Sequence, residues 1–133
     1  MTPTRLTLCA ALGVLALSMG SVLAAAQTDL MAKMDTDHDA TVDLNEAKAA
    51  GSSLFDKLDR DHDGTLTRHE LSGRLSVREL GAADPDHDKT LSKDEYLAVI
   101  EQRFKAADPD NDGTLSSDEL RSKPGAALLR LLK

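Results

Sequence analysis

The sequence predicts an all-α fold, a compact bundle of short helices strung between four tandem acidic loops. Three observations predict it. A twelve-residue acidic pattern recurs four times, beginning at Asp35, Asp59, Asp84 and Asp108. Each copy ends in a helix-capping signature. The gaps between copies are 12, 13 and 12 residues, which leaves room for short helices and little else.

In chain order, residues 1–26 read as a signal peptide. Arg5 is the one charged residue, Leu6 to Leu23 is almost wholly apolar, and Ala24, Ala25 and Ala26 are small. Cleavage is expected after Val22-Leu23-Ala24 or Ala24-Ala25-Ala26, which would place the remaining domain, residues 27–133, in the periplasm. An uncleaved anchor is the alternative, since about 20 apolar residues can span a bilayer. No basic stop-transfer flank follows the alanines, so stable membrane insertion is not expected once the leader is removed. The single cysteine, Cys9, falls inside this stretch behind Leu8, so neither lipid anchoring nor a disulfide is expected.

Each incoming helix is marked by apolar residues four and one places before its loop. These are Met31 and Met34, Phe55 and Leu58, Leu80 and Ala83, and Phe104 and Ala107. Each outgoing helix begins at a capping box, Asp43-x-x-Glu46, Thr67-x-x-Glu70, Ser92-x-x-Glu95 and Ser116-x-x-Glu119. In the first gap, Gly51-Ser52-Ser53 is expected to break the helix. In the second, Ser72-Gly73 should end one helix, and Ser76 with Glu79 should cap the next. The third gap has no breaker and predicts one helix from about Lys93, with Tyr96, Leu97, Ile100 and Phe104 toward the core. After Pro124, the residues Leu128, Leu129 and Leu132 read as a closing helix.

A chain of 133 residues, 41% of them apolar, supports one modest core. Its formal charge is −7, with one Tyr, two Phe and no Trp. Nucleic-acid binding asks for a basic face and stacking aromatics, so it is not expected. From Asp29 onward 15 basic residues face 23 acidic ones, and 19 of those acidic residues lie in the four loops.

The loops read DTDHDATVDLNE, DRDHDGTLTRHE, DPDHDKTLSKDE and DPDNDGTLSSDE. Alternate short carboxylates in a tight winding converge on one point, the seventh residue adds a backbone carbonyl, and the twelfth reaches back from a helix. The candidate ligands are Asp35, Asp37, Asp39, Thr41, Asp43 and Glu46 in loop one. Loop two offers Asp59, Asp61, Asp63, Thr65 and Glu70. Loop three offers Asp84, Asp86, Asp88, Thr90 and Glu95, and loop four Asp108, Asp110, Asp112, Thr114 and Glu119. Such a cage of hard oxygens suits a hard cation such as calcium. Position eight is always aliphatic (Val42, Leu66, Leu91, Leu115), suited to pinning paired loops through a short two-stranded contact. Position six needs a left-handed backbone, which Gly64 and Gly113 supply. Ala40 and Lys89 should cost about 1–2 kcal/mol there. His38, His62 and His87 at position four are expected to be exposed and non-ligating, and His69 to lie at the surface. A Ser-His-Asp or Cys-His arrangement is missing from the sequence outside the loops, so an enzyme is not expected.

These loops resemble the EF-hand calcium loop, with glycine at position six in the copies over 59–70 and 108–119. The short gaps, together with the stretches AAGSSLFDKLD, DEYLAVIEQRFKAADPDNDGTL and KPGAALLRLLK, resemble the lanmodulin family of periplasmic lanthanide-binding EF-hand proteins, from about Met31 to the C-terminus. That resemblance implies a helical bundle with metal sites at its edges, loose without metal and compact with it. It also implies a preference for trivalent lanthanides over calcium, and a link to lanthanide uptake or supply to lanthanide-dependent alcohol dehydrogenases. The family's proline at position two is present as Pro85 and Pro109 and replaced by Thr36 and Arg60. Its acidic residue at position nine is present only as Asp43. Two other readings stand beside this one: a periplasmic calcium buffer or sensor, and a dockerin-like calcium-dependent interaction module. Four loops in place of two, without a large neighbouring domain, count against the last.

Overall fold

The computed structural model describes residues 29–133; the expected signal peptide lies outside the described residues. A helix over 29–34 (α1) enters loop one. Then come β1 (Val42–Asp43), α2 (Leu44–Leu58), β2 (Thr65–Thr67), α3 (Val77–Ala83), β3 (Thr90–Ser92), α4 (Lys93–Ala107), β4 (Thr114–Leu115), α5 (Ser117–Arg121) and α6 (Lys123–Leu131). The fold is the expected all-α bundle, with two minimal sheets added by the loops.

Capping boxes form at all three of the outgoing helices the structure contains. Asp43, Ser92 and Ser116 each accept the N–H of the glutamate three residues on, and that glutamate returns a carboxylate to the cap N–H. Ser76 and Glu79 cap α3 in the same way. As expected from the missing breaker, α4 runs unbroken, burying Tyr96, Ile100 and Phe104, and Val99 with them. Pro124 sits in the first turn of α6, where its missing N–H costs nothing, and Leu128, Leu129 and Leu131 are buried.

Two expectations fail. The helix is not broken at Gly51-Ser52-Ser53; α2 passes through it. Gly51 is buried at the crossing with α4, where an added β-carbon would run into Ile100 Cδ1, so its bare backbone is what lets the helices meet. After loop two there is no outgoing helix. Leu71 N–H reaches Thr67 O at 3.0 Å, but the next bonds, Ser72 to His69 and Arg74 to Leu71, are tighter three-residue turns. Gly73, at φ +78°, then turns the chain away.

The sheets decide which loops meet. β1 pairs antiparallel with β4, setting Val42 opposite Leu115, and β2 pairs with β3, setting Leu66 opposite Leu91. Loop one therefore joins loop four, and loop two joins loop three. All four aliphatic residues are fully buried. Around them α2 packs on α4, α4 on α6, and α5 on α6. Tyr96 lies tilted against Phe55 with ring centroids 5.8 Å apart and donates its hydroxyl to Leu131 O at 2.9 Å. Burial pushes its phenol up to about 12. Glu79 Oε1 receives Arg103 of α4 at 2.9 Å and Arg130 of α6 at 2.7 Å, tying three helices. Among the described residues no helix is long and apolar enough to cross a membrane.

Two measurements check this packing. Gly125 abuts α5, where a β-carbon would overlap Glu119 O and Leu120 Cα, whereas Gly81 faces open space. In urea unfolding at one fixed metal condition, Gly125→Ala should lose about 1–3 kcal/mol. Gly81→Ala should be neutral or gain up to about 1 kcal/mol from helix propensity. The Lys105 and Lys48 ammonium groups beside Glu101 hold its carboxyl down at about 2 from an ordinary 4.5. A lowered folded-state value means the pairing stabilises fully above pH 4.5 and is lost as pH falls toward 2. Glu101→Gln should therefore be the less stable protein at pH 6, with the difference shrinking from pH 4.5 downward.

Candidate metal centres

Each loop winds through two left-handed residues. Position six is left-handed in all four: Ala40 at φ 70°, Gly64 at 84°, Lys89 at 70° and Gly113 at 88°. Position four is left-handed too, at His38, His62, His87 and Asn111, with φ from 55° to 63°. The second feature is absent from the sequence reading above. Asn and His are enriched in that region among non-glycine residues, so the residue type at position four was the available signal. The three histidines are exposed, as expected, and His38 Nδ1 lies 3.1 Å from the backbone carbonyl of Thr36.

The winding points backbone N–H groups inward onto the position-one carboxylate. The N–H at position six reaches Asp35, Asp59, Asp84 or Asp108 at 2.8–3.1 Å. In loops one to three the N–H at position five reaches the other oxygen of the same carboxylate at 3.2 Å. Asp59, Asp84 and Asp108 are buried, and Asp35 is half-buried. At position five, Asp39, Asp63, Asp88 and Asp112 accept both the N–H and the hydroxyl of the threonine two residues on, Thr41, Thr65, Thr90 and Thr114. Those turns set the carboxylate before any ion is considered.

The result is four convergent groups. Loops two, three and four gather Asp59, Asp61 and Glu70; Asp84, Asp86 and Glu95; and Asp108, Asp110 and Glu119, with one oxygen of each residue within 4.8 Å of the others. Loop one gathers Asp35, Asp37 and Asp39 instead. There Glu46 Oε1 is taken by the N–H and hydroxyl of Thr36, at 2.7 and 2.8 Å, and Oε2 by Asp43 N–H. Asp43 serves as the helix cap, its Oδ1 accepting Glu46 N–H at 2.7 Å, and is not in the convergent group. The spacing fits the donor chemistry. Oxygens held at 2.3–2.6 Å from a hard cation are separated from one another by no more than about 5 Å.

Crowded carboxylates oppose one another, and the position-three carboxyl is raised in every loop. For Asp37 desolvation comes first, with Asp39, Glu46 and Asp35 adding repulsion. Asp61 is raised by desolvation and then by Asp63 and Glu70. For Asp86 the cause is the hydrogen bond it shares with Asp84. Asp110 rises although the Asp112 N–H pulls it down, because the Asp108 carboxylate beside it, desolvation and the charges of Asp112 and Glu119 outweigh that. The Thr67 N–H and hydroxyl hold Glu70 low instead. At Glu46, burial works upward but is outweighed by the Asp43 and Thr36 donors.

Two stretches of the chain, residues 52–83 and 100–122, match the family model for the EF hand. They contain loops two and four, the copies with glycine at position six. No curated protein matches the chain.

Position six offers a direct test of the winding. Lys89→Gly removes a β-carbon from a left-handed residue and should stabilise by about 1–2 kcal/mol, whereas Gly113→Ala should lose a similar amount. Since a β-carbon at Gly113 would meet nothing within 4 Å, that loss measures backbone strain alone. Urea midpoints of the two variants under one metal condition should move in opposite directions.

Proposed function

We propose that this EF-hand protein, with its four candidate acidic loops, is a periplasmic binder of hard cations that folds on ligation and prefers trivalent lanthanide ions to calcium. The observation that carries the reading is the set of four all-oxygen carboxylate groups, each prearranged by backbone N–H donors. In the metal-free chain these carboxylates repel one another, and the backbone donors only partly offset that. A cation turns the repulsion into attraction, so binding energy becomes folding energy. The ligands would be the carboxylates at positions one, three, five and twelve of each loop, the carbonyl at seven, and Asp43. Against one cage of charges, a trivalent ion strengthens the Coulomb attraction by about half over a divalent one.

A calcium buffer or sensor is the second reading, and one observation favours it. Position nine, where an extra carboxylate would reward higher charge, is Thr67, Ser92 and Ser116 in three loops, and each of these hydroxyls donates to, or caps with, its own glutamate. The leader expected at residues 1–26 is the basis for the periplasmic location.

Chelator-stripped protein titrated separately with lanthanum and calcium, with helix content followed by circular dichroism, tests both. Helix should rise with either ion and at lower free concentration with lanthanum. Equal response to the two ions selects the calcium reading. A helix content already complete without metal, and unmoved by both ions, overturns metal-coupled folding.

A further inference from the structure

Resting on the metal-binding reading above, we infer that the loop over 108–119 takes up its cation first, because it alone leaves an oxygen free of hydrogen bonds on both its position-one and its position-twelve carboxylate. The difference begins at position two. In loops one and two the position-two N–H donates to the position-twelve glutamate, from Thr36 to Glu46 Oε1 at 2.7 Å and from Arg60 to Glu70 Oε1 at 3.1 Å. Oε2 of each is held by the cap residue, so both oxygens are engaged. Pro85 and Pro109 have no N–H to give. Glu95 and Glu119 are held only through Oε2, by Ser92 and Ser116, and Oε1 is left to the loop.

A second, independent feature separates loop four from loop three. At position one, Asp35, Asp59 and Asp84 have both oxygens occupied by the N–H groups of positions five and six. Asp108 has only Oδ2 occupied, by Gly113 at 3.1 Å. Its Oδ1 is buried without a donor, on a residue 7% exposed that belongs to the convergent group. A buried anionic oxygen without a partner is costly, and a cation relieves that cost on arrival. Loop three, by contrast, has both oxygens of Asp84 occupied and carries Lys89, a residue with a β-carbon, at the left-handed position six. In loops one and two a cation must first displace the position-two donor.

The position-six amides of Ala40, Gly64, Lys89 and Gly113 each donate to their own position-one carboxylate, so each reports one loop. Chelator-stripped, 15N-labelled protein is titrated with lanthanum, and with calcium in parallel, following these four amide resonances. The Gly113 resonance should complete its change at a lower metal ratio than the other three. Pro109→Thr, which installs the donor found at position 36, should weaken the Gly113 response roughly tenfold and leave Gly64 in place. Thr36→Ala, which removes one hydroxyl donor from Glu46, should advance the Ala40 response. Gly113 moving with or after the others, or a Pro109→Thr variant with unchanged order, overturns the inference while metal binding stands. Four resonances unmoved by either ion overturn the metal-binding reading, and the order with it.

Discussion

Mutual repulsion of carboxylates, held in place by backbone amides, is the constraint on which the rest of this structure depends. Every loop spends its geometry on gathering like charges. Two left-handed residues curl the chain so that the N–H at position six, and in loops one to three also that at position five, meets the position-one carboxylate, and the threonine at seven fixes the carboxylate at five. The position-three carboxyls Asp37 and Asp61 are raised first by desolvation and then by the neighbouring carboxylates. With 23 acidic against 15 basic residues from Asp29 onward, four divalent ions would bring this domain to neutrality. On the proposed reading, ion binding and folding are two descriptions of one balance.

The core is joined directly to the loops. The residue after each threonine is the aliphatic one that enters the sheet contact, so a loop that winds correctly also delivers Val42, Leu66, Leu91 or Leu115 to the interior. At the twelfth position of each copy a glutamate closes the loop, and in three copies it also lies in the first turn of a helix. Three of the four glutamates therefore stand at the junction between cage and bundle, in α2, α4 and α5. In loop two that junction is a turn, and the chain there is held instead by Leu71 in the core and by Arg74 Nη2 on the carbonyl of Lys133.

Much of this was legible in the sequence, because the informative signals were local. Loop register, capping boxes, the unbroken α4, the closing helix and the burial of position eight all follow from spacings within a dozen residues. What was not legible depended on distant partners. Gly51-Ser52-Ser53 reads as a breaker until Ile100 and Leu132 are brought beside it. The pairing of loop one with loop four, and of two with three, has no marker in any single loop. The engagement of Glu46 by Thr36 spans ten residues and rests on a backbone N–H that any residue except proline would offer. Pro85 and Pro109 were visible as differences, but the bond they forgo was not.

Tyr96 has a practical corollary. It is the one tyrosine in a chain without tryptophan, and it is buried between Phe55 and the carbonyl of Leu131. Excited at wavelengths longer than phenylalanine absorbs, ultraviolet emission from this protein thus originates at a single chromophore, seated where the C-terminal helix docks on the long central one. The molecule carries its own label-free optical gauge of assembly, situated in the hydrophobic centre and remote in kind from the oxygen-rich rims.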